Sequence, residues 1–312
     1  MDSLIESVEK LLKLKLDSIA ETGWIIFFNQ IVSLTHEICV NIIECEKNNV
    51  QRESILKPLE PIREIYRKSP FGNRLQVWPK GFPGDFETIE YLCNAKNKSE
   101  KNTIHYFSEY YALNCPVAQQ HRNKIYHQAQ QILNQIVGGS RKPSILSLAC
   151  GGCRDIRSIK NYLVDTPFSL VLNDFDKEAL DFSQKELKSL GDKCIYLLGH
   201  SVKLINVFQN NGPFNLIIAG GLFDYLPDKH IIFILRNAFN KLLTPGGKFY
   251  FTNISENNPY RAWMEYLADW KLIQRSKEHL IQLIRKAEIG QIEFIIKKEE
   301  TGLTYLVEII KE

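Results

Sequence analysis

With 312 residues, 44% of them hydrophobic, and 39 basic against 36 acidic groups, the chain can bury an ample core without cross-links and has no basic excess that would point to nucleic acid. The N-terminus lacks the cationic, apolar and small-residue order of a signal peptide, and no uncharged apolar run approaches the roughly 18 residues of a membrane span, so stable membrane insertion is not expected. Seven cysteines, an odd number, read as the reduced thiols of a cytoplasmic protein.

Residues 1 to about 135 repeat apolar positions at three and four, in "LIESVEKLLKLKLDSIAE", "WIIFFNQIVSLTHEICVNIIECEK" and "RESILKPLEPIREIYRK", and this period predicts helices. One loop interrupts them, "QVWPKGFPGDFETIEYL", where Pro79, Gly81, Pro83 and Gly84 forbid regular structure ahead of a helix that Asp85 is placed to cap. A further helix, "CPVAQQHRNKIYHQAQQILNQIV", leads to a turn from Gly138 to Pro143. The helical stretch 1–115 is expected to serve as a lid or substrate region, a homodimer surface, or both.

From Ser144 the texture changes to short β-rich runs separated by helices: "SILSLA", "FSLVLN", "CIYLL", "FNLIIAG" and "GKFYFTNI". The last two runs, "IEFIIKK" and "TYLVEII", have only "EETG" between them, which predicts an antiparallel hairpin. Strand–helix alternation ending in such a hairpin predicts an α/β fold over 116–312: a doubly wound, mostly parallel seven-stranded sheet.

The stretch "SLACGGCRD", Ser147 to Asp155, sits between the first strand and the helix "RDIRSIKNYL". Its C-x-x-C pair has no second pair for zinc, and Cys153 falls where the first helical turn is predicted, so the two thiols are read as packing and no metal is expected. Gly151 and Gly152 allow a ligand to approach the backbone at a helix N-terminus. Asp174, at the tip of the next strand in "LVLNDFDKEAL", is placed to accept hydrogen bonds from both ribose hydroxyls of an adenosine-type cofactor. Asp176 reads as the N-cap of the helix that follows.

The series "ILSLACGGCRDI", "LVLNDFDKEAL", "FNLIIAGGLFDYLPD", "LLTPGGKFYFTNI" resembles the class I S-adenosylmethionine-dependent methyltransferases over roughly residues 120–312. Two stretches, "WPKGFPGDFETIE" and "NPYRAWMEYLADWKLIQRS", look like a bacterial branch that includes enzymes making 3-hydroxypalmitate methyl ester. The resemblance implies a Rossmann-like sheet that binds S-adenosyl-L-methionine through Ala149, Cys150, Gly151, Asp174 and Phe175. It further places His200 and Ser201 of "GHSV" near the adenine and Gly220 where acceptor and methyl meet. Arg122 is a candidate partner for a carboxylate of cofactor or substrate, or else an ordinary exposed helical arginine.

Asp224, Tyr225 and Glu265 are the candidate catalytic groups; the alternative is that Phe223 and Tyr225 are core and Asp224 caps the helix near Asp228. Phe82, Tyr106, Tyr110 and Trp78 are candidates to surround the sulfonium, by cation–π attraction. Tyr260, Arg261, Met264 and Trp270 are expected to shape the acceptor pocket, although an amphipathic helix packed on the sheet edge would read the same. Three positions depart from the family, which usually has an acid at Ser147 and glycines at Ala149 and Cys153.

The expected activity is methyl transfer to a small-molecule acceptor, most simply a carboxylate giving an O-methyl ester, since a carboxylate is a nucleophile at neutral pH and needs no base. The lack of an N/D-P-P-Y pattern after the fourth strand, with no basic stripe, disfavours nucleic-acid methylation. The alternatives are cyclisation of S-adenosylmethionine itself, as in azetidine-2-carboxylate synthases that release methylthioadenosine, and a catalytically silent cofactor-binding scaffold.

Overall fold

The computed structural model describes residues 1–15, 21–138 and 142–312, so parts of the first predicted helix and of the turn after Gly138 lie outside the described residues. The chain divides into two compact units: Met1–Gln119 with Pro259–Lys271, and Gln120–Asn258 with Leu272–Glu312.

The first unit is helical: α1 (Asp2–Leu12), α2 (Glu21–Lys47), α3 (Arg52–Lys68), α4 (Pro70–Val77), α5 (Phe86–Asn94) and α6 (Ile104–Asn114). Helix starts follow capping chemistry. The Asp85 carboxylate accepts from the Glu87 and Thr88 N–H groups, as its position predicts, and Ser69 and Thr103 cap α4 and α6 in the same way. Gly72 is required by close approach, because a Cβ there would stand 2.2 Å from the Tyr66 carbonyl oxygen.

Charged residues interrupt Gly23–Lys47, but it is long and apolar enough by length and composition to cross a membrane. Phe27, Ile31, Ile38 and Ile42 of this helix are buried. The excursion Pro259–Lys271 is core of the same unit rather than a surface helix: Trp263, Met264, Tyr266, Leu267 and Trp270 are all buried. Trp263 donates its indole N–H to the Tyr66 hydroxyl at 3.2 Å, Gln76 donates to the Leu267 carbonyl at 2.9 Å, and the Arg63 guanidinium holds both Asp269 and the Tyr266 carbonyl.

The second unit opens on α7 (Pro116–Gly138), whose first turns lie before the division, and continues as β1 (Ser144–Leu148), α8 (Arg154–Leu163), β2 (Ser169–Asp174), α9 (Lys177–Glu186), β3 (Cys194–Leu198) and α10 (Ile205–Asn211). It closes with β4 (Phe214–Ala219), α11 (Asp228–Asn237), β5 (Leu243–Ile254), α12 (Lys277–Lys286), β6 (Ile292–Lys298) and β7 (Thr304–Lys311). The sheet order is β3-β2-β1-β4-β5-β7-β6; β7 is antiparallel to both neighbours, and the hairpin predicted around "EETG" is β6–β7.

Alternate residues of the buried strands feed opposite faces. Leu146, Val171, Ile217, Phe249 and Val307 pack with α11 and α12 through Ile231, Ile234, Leu280 and Leu283. Ile145, Leu170, Ile218 and Tyr250 pack with α8 and α7 through Ile156, Ile159, Ala129 and Ile132. Burial on both sides explains why these strands read as continuous apolar runs.

Candidate active site at the strand tips

The turn leaving β1 makes its reversal with three left-handed residues, Ala149 (φ 50°), Gly151 (φ 52°) and Cys153 (φ 50°). Cys153 is therefore the residue ahead of α8 and not part of its first turn, a correction to the helix start expected from sequence. Three bonds fix the loop: Cys150 N–H to the Asn173 carbonyl at 2.9 Å, Cys153 N–H to the Cys150 carbonyl at 2.9 Å, and Ser183 hydroxyl to the Gly151 carbonyl at 2.9 Å. The Cys153 side chain is fully buried against Ile156 and Ile159, and hydrogen bonding to Cys153 together with burial keeps the Cys150 sulfur well up in its thiol form. No cluster of three or more metal-ligating groups exists among the described residues.

Parallel pairing carries Asp174 to the tip of β2 beside that turn, with Leu148 against Asn173 and Asp174 against Leu198. One Asp174 oxygen accepts from Gly151 N–H at 2.8 Å and the other from Asp176 N–H at 2.9 Å. Burial raises the Asp174 pKa, and those N–H groups oppose the rise. A third, from the Phe175 N–H, also favours the charged form, and of the four lone pairs on the two oxygens one is left for a ligand hydroxyl. Phe175, the next residue, stacks on His200 from the β3 tip, centroids 5.2 Å apart and planes at 9°, and both rings are exposed. A carboxylate at the strand tip beside a flat aromatic rim, over a turn with positive-φ glycine, fits an adenosine group.

Asn173 is the clamp that aligns these tips, and sequence reading passed over it. Fully buried, it donates to the Leu197 and Gly199 carbonyls at 2.9 and 2.8 Å and accepts from the Ser201 hydroxyl at 2.6 Å. Ser201, expected near the adenine, thus spends its hydroxyl hydrogen inside the clamp. Behind the turn, Asp155 is buried at the start of α8 and its pKa rises to about 6 for that reason.

At the tips of β4 and β5 the expected and observed roles diverge. Asp224 does not cap α11, which follows Pro227; it is buried, one oxygen accepting from Ile254 N–H and the other paired with Lys124 Nζ at 3.1 Å. The Gly220 backbone position is crossed by Gln128 of α7, since a Cβ there would stand 2.1 Å from Gln128 Oε1, and Thr252 donates to the Gly220 carbonyl. Tyr225 is exposed, and Arg122 is half-buried on α7. The loop between them is held by Arg275, whose fully buried guanidinium donates to the carbonyls of Phe223 and Leu226, to Asn253 and to Asp228.

The remaining candidates belong to the helical unit. Tyr106 lies against Trp24 and Phe107, Tyr110 meets Phe28 edge-on at 5.2 Å, and Tyr260 meets His36 at 5.7 Å. Arg261 pairs with Glu46 and with Glu265 at 3.4 Å, which makes Glu265 an ion-pair member. Met264 and Trp270 are core, Phe82 is half-buried, and Trp78 is exposed at the left-handed end of α4.

No protein-family model matches the chain, and no curated protein matches it. Among solved structures it is similar to a possible exported protein from Bordetella parapertussis, at 16% identity and TM-score 0.58, over 80% of this chain and 94% of that one. It is also similar to a TehB-like SAM-dependent methyltransferase from Corynebacterium glutamicum (16% identity, TM-score 0.41, 63% of this chain and 96% of that one). A third is the magnesium protoporphyrin IX methyltransferase from Synechocystis with bound SAH (8% identity, TM-score 0.48, 73% and 100%). The fold is Rossmann-like, a mostly parallel seven-stranded sheet with an antiparallel C-terminal pair.

Proposed function

We propose that the chain is an S-adenosylmethionine-dependent methyltransferase acting on a small molecule through a carboxylate. The observation that carries the cofactor reading is Asp174: a buried carboxylate at the first crossover of the sheet, held in place by backbone N–H groups of Gly151 and Asp176. When bound, S-adenosylmethionine supplies a methyl group on a sulfonium that an oxygen nucleophile can displace. Asp174 would take a ribose hydroxyl, the Phe175–His200 rim the adenine, and the turn Ala149–Gly151 the approach of the remaining cofactor to the backbone.

A carboxylate acceptor is favoured because the sheet unit's candidate base is engaged. Both oxygens of Asp224 are committed to Ile254 and Lys124, and a carboxylate needs no proton removed before it attacks. The seven cysteines are all free thiols, which fits a cytoplasmic setting.

Calorimetry with S-adenosylmethionine tests the cofactor reading. Wild type is expected to bind, and Asp174→Ala to bind at least about tenfold more weakly, as loss of charge-assisted hydrogen bonds requires. Failure of the wild type to bind at millimolar ligand would sink it. S-adenosylhomocysteine as product marks methyl transfer, whereas methylthioadenosine marks cyclisation of the cofactor.

A further inference from the structure

The sheet ends on two edges, β3 and β6. An edge strand presents a row of N–H and C=O groups that a further strand can take up. β6 pairs with β7 in the register that sets Ile292 against Lys311 and Lys298 against Tyr305. The Glu299 N–H donates to the Thr304 carbonyl at 3.0 Å and the Glu312 N–H to the Gln291 carbonyl at 3.4 Å, so the odd-numbered residues of this strand are the ones bonded to β7. Ile292, Phe294, Ile296 and Lys298 therefore turn their N–H and C=O groups outward. Among the described residues, no backbone bond beyond the strand ladder reaches them.

The side chains of this edge are apolar in the middle and charged on either side. Phe294 is 38% and Ile295 57% exposed. Phe294 shares a face with Ile292 and Ile296, which pack on the core beside α12, whereas Glu293, Ile295 and Lys297 lie on the other face. Lysines on an edge ordinarily deter a further strand. Here the deterrent is balanced, because Glu293 and Lys297 stand two residues to either side of Ile295 with opposite charge. Lys297 is 53% exposed and 3.9 Å from Glu308, a surface pair that is worth little inside the chain. The other edge, β3, also exposes apolar side chains, Ile195 and Leu198, but its five residues carry no charge that would fix a register.

We propose that β6 pairs antiparallel with β6 of a second copy of this chain, about a two-fold axis at Ile295, so that two sheets become one. In that register every outward residue meets an outward residue: Ile292 lies opposite Lys298 of the second copy and Phe294 opposite its Ile296, each rung exchanging two N–H···O bonds. Glu293 stands opposite Lys297 of the second copy on both sides of the axis, at the close, non-hydrogen-bonded positions where cross-strand side chains interact most. Ile295 meets its own counterpart between them. An axis at Phe294 would set Glu293 against Ile295 and Lys297 against Gln291, and one at Ile296 would set Glu293 against Glu299. Charge thus selects the register, and the interface is self-complementary, as two-fold pairing requires. It lies on the sheet rather than on the helical stretch 1–115, and it does not depend on what the chain catalyses.

Light scattering on the gel-filtered full chain is expected to give twice the chain mass at micromolar concentration. Glu293→Lys and Lys297→Glu each set like charges against one another on both sides of the axis, so each variant alone should dimerise at least about tenfold more weakly. Mixed together, the two variants oppose unlike charges at every such position, and the dimer should return, which variants that had failed to fold could not do. Ile295→Cys, treated with oxidised glutathione, should link to itself across the axis, because non-hydrogen-bonded positions bring Cα atoms within disulfide reach, while wild type treated alike should not link. A monomeric wild type overturns the proposal, and so does an Ile295→Cys variant that forms no cross-link. A dimer indifferent to both charge variants assigns the interface to another surface, and variants whose mixture stays monomeric reject the register; either result overturns the pairing as well.

Discussion

Ala149 shows how one side chain can strain the turn that the proposed cofactor site depends on. At φ 50° its Cβ crowds the backbone at a cost of roughly 1 kcal/mol, which glycine avoids. Ala149→Gly is therefore expected to raise stability by about 0.5–1 kcal/mol in urea denaturation. Cys153 has the same conformation but fills core space, so Cys153→Gly trades relief of strain for a cavity and should gain nothing in the same measurement. The clue was present in the sequence, where both positions hold side chains in place of the glycines of the methyltransferases that the loop resembles. What sequence lacked was the dihedral angle, which only the bonds from Cys150 to Asn173 and from Ser183 to Gly151 impose.

Asp155 makes a pH prediction at the same scale. Burial lifts its pKa from 3.8 to about 6, so the folded chain holds that proton more tightly than the unfolded one. Its contribution to stability is present below pH 3.8 and is lost as pH rises through 6. Asp155→Asn, which can still accept from Ile156 N–H, should match wild type near pH 3.5 and exceed it by about 2 kcal/mol at pH 7.5, measured by denaturant titration at both values.

At the scale of elements, the decisive contacts join segments far apart in sequence. Arg275 ties the loop after β4 to the end of β5, and the buried guanidinium satisfies two carbonyls, an amide oxygen and a carboxylate at once. Arg275→Met should cost about 3–5 kcal/mol in urea unfolding, because four acceptors lose their donor and Asp228 its charge partner. Arg275→Lys should recover little of it, since one ammonium cannot reproduce a five-donor fork. Strand existence and order of elements were legible from the shift in period at Ser144, and the hairpin from the short "EETG" spacer. The polar row Gln120, Lys124, Gln128 was present as an i, i+4, i+8 pattern too, but glutamine and lysine on a helix ordinarily mark its solvent face, and only the sheet covering that face turns the pattern into a buried one.

For the whole molecule, the two-segment construction of the helical unit has a direct consequence. Pro259–Lys271 supplies Trp263, Met264, Tyr266, Leu267 and Trp270 to that unit's core. Deleting residues 1–119 would leave these five side chains without their packing, so the truncated chain is expected to bind a hydrophobic dye and to aggregate on gel filtration where the full chain does not. Period and composition by themselves determined the class of the fold, the place of the glycine turn and the strand-tip acid, because those depend on local propensity and on the alternation of buried faces. Tertiary structure alone decided that the aromatic excursion is helical core, that Asp224 is bound into an ion pair, and that Asn173 and Arg275 hold the site's loops. The physical reason is common to all four: a polar or aromatic side chain reads the same in sequence whether it meets water or a partner, and the partner is chosen by packing over more than twenty residues of chain.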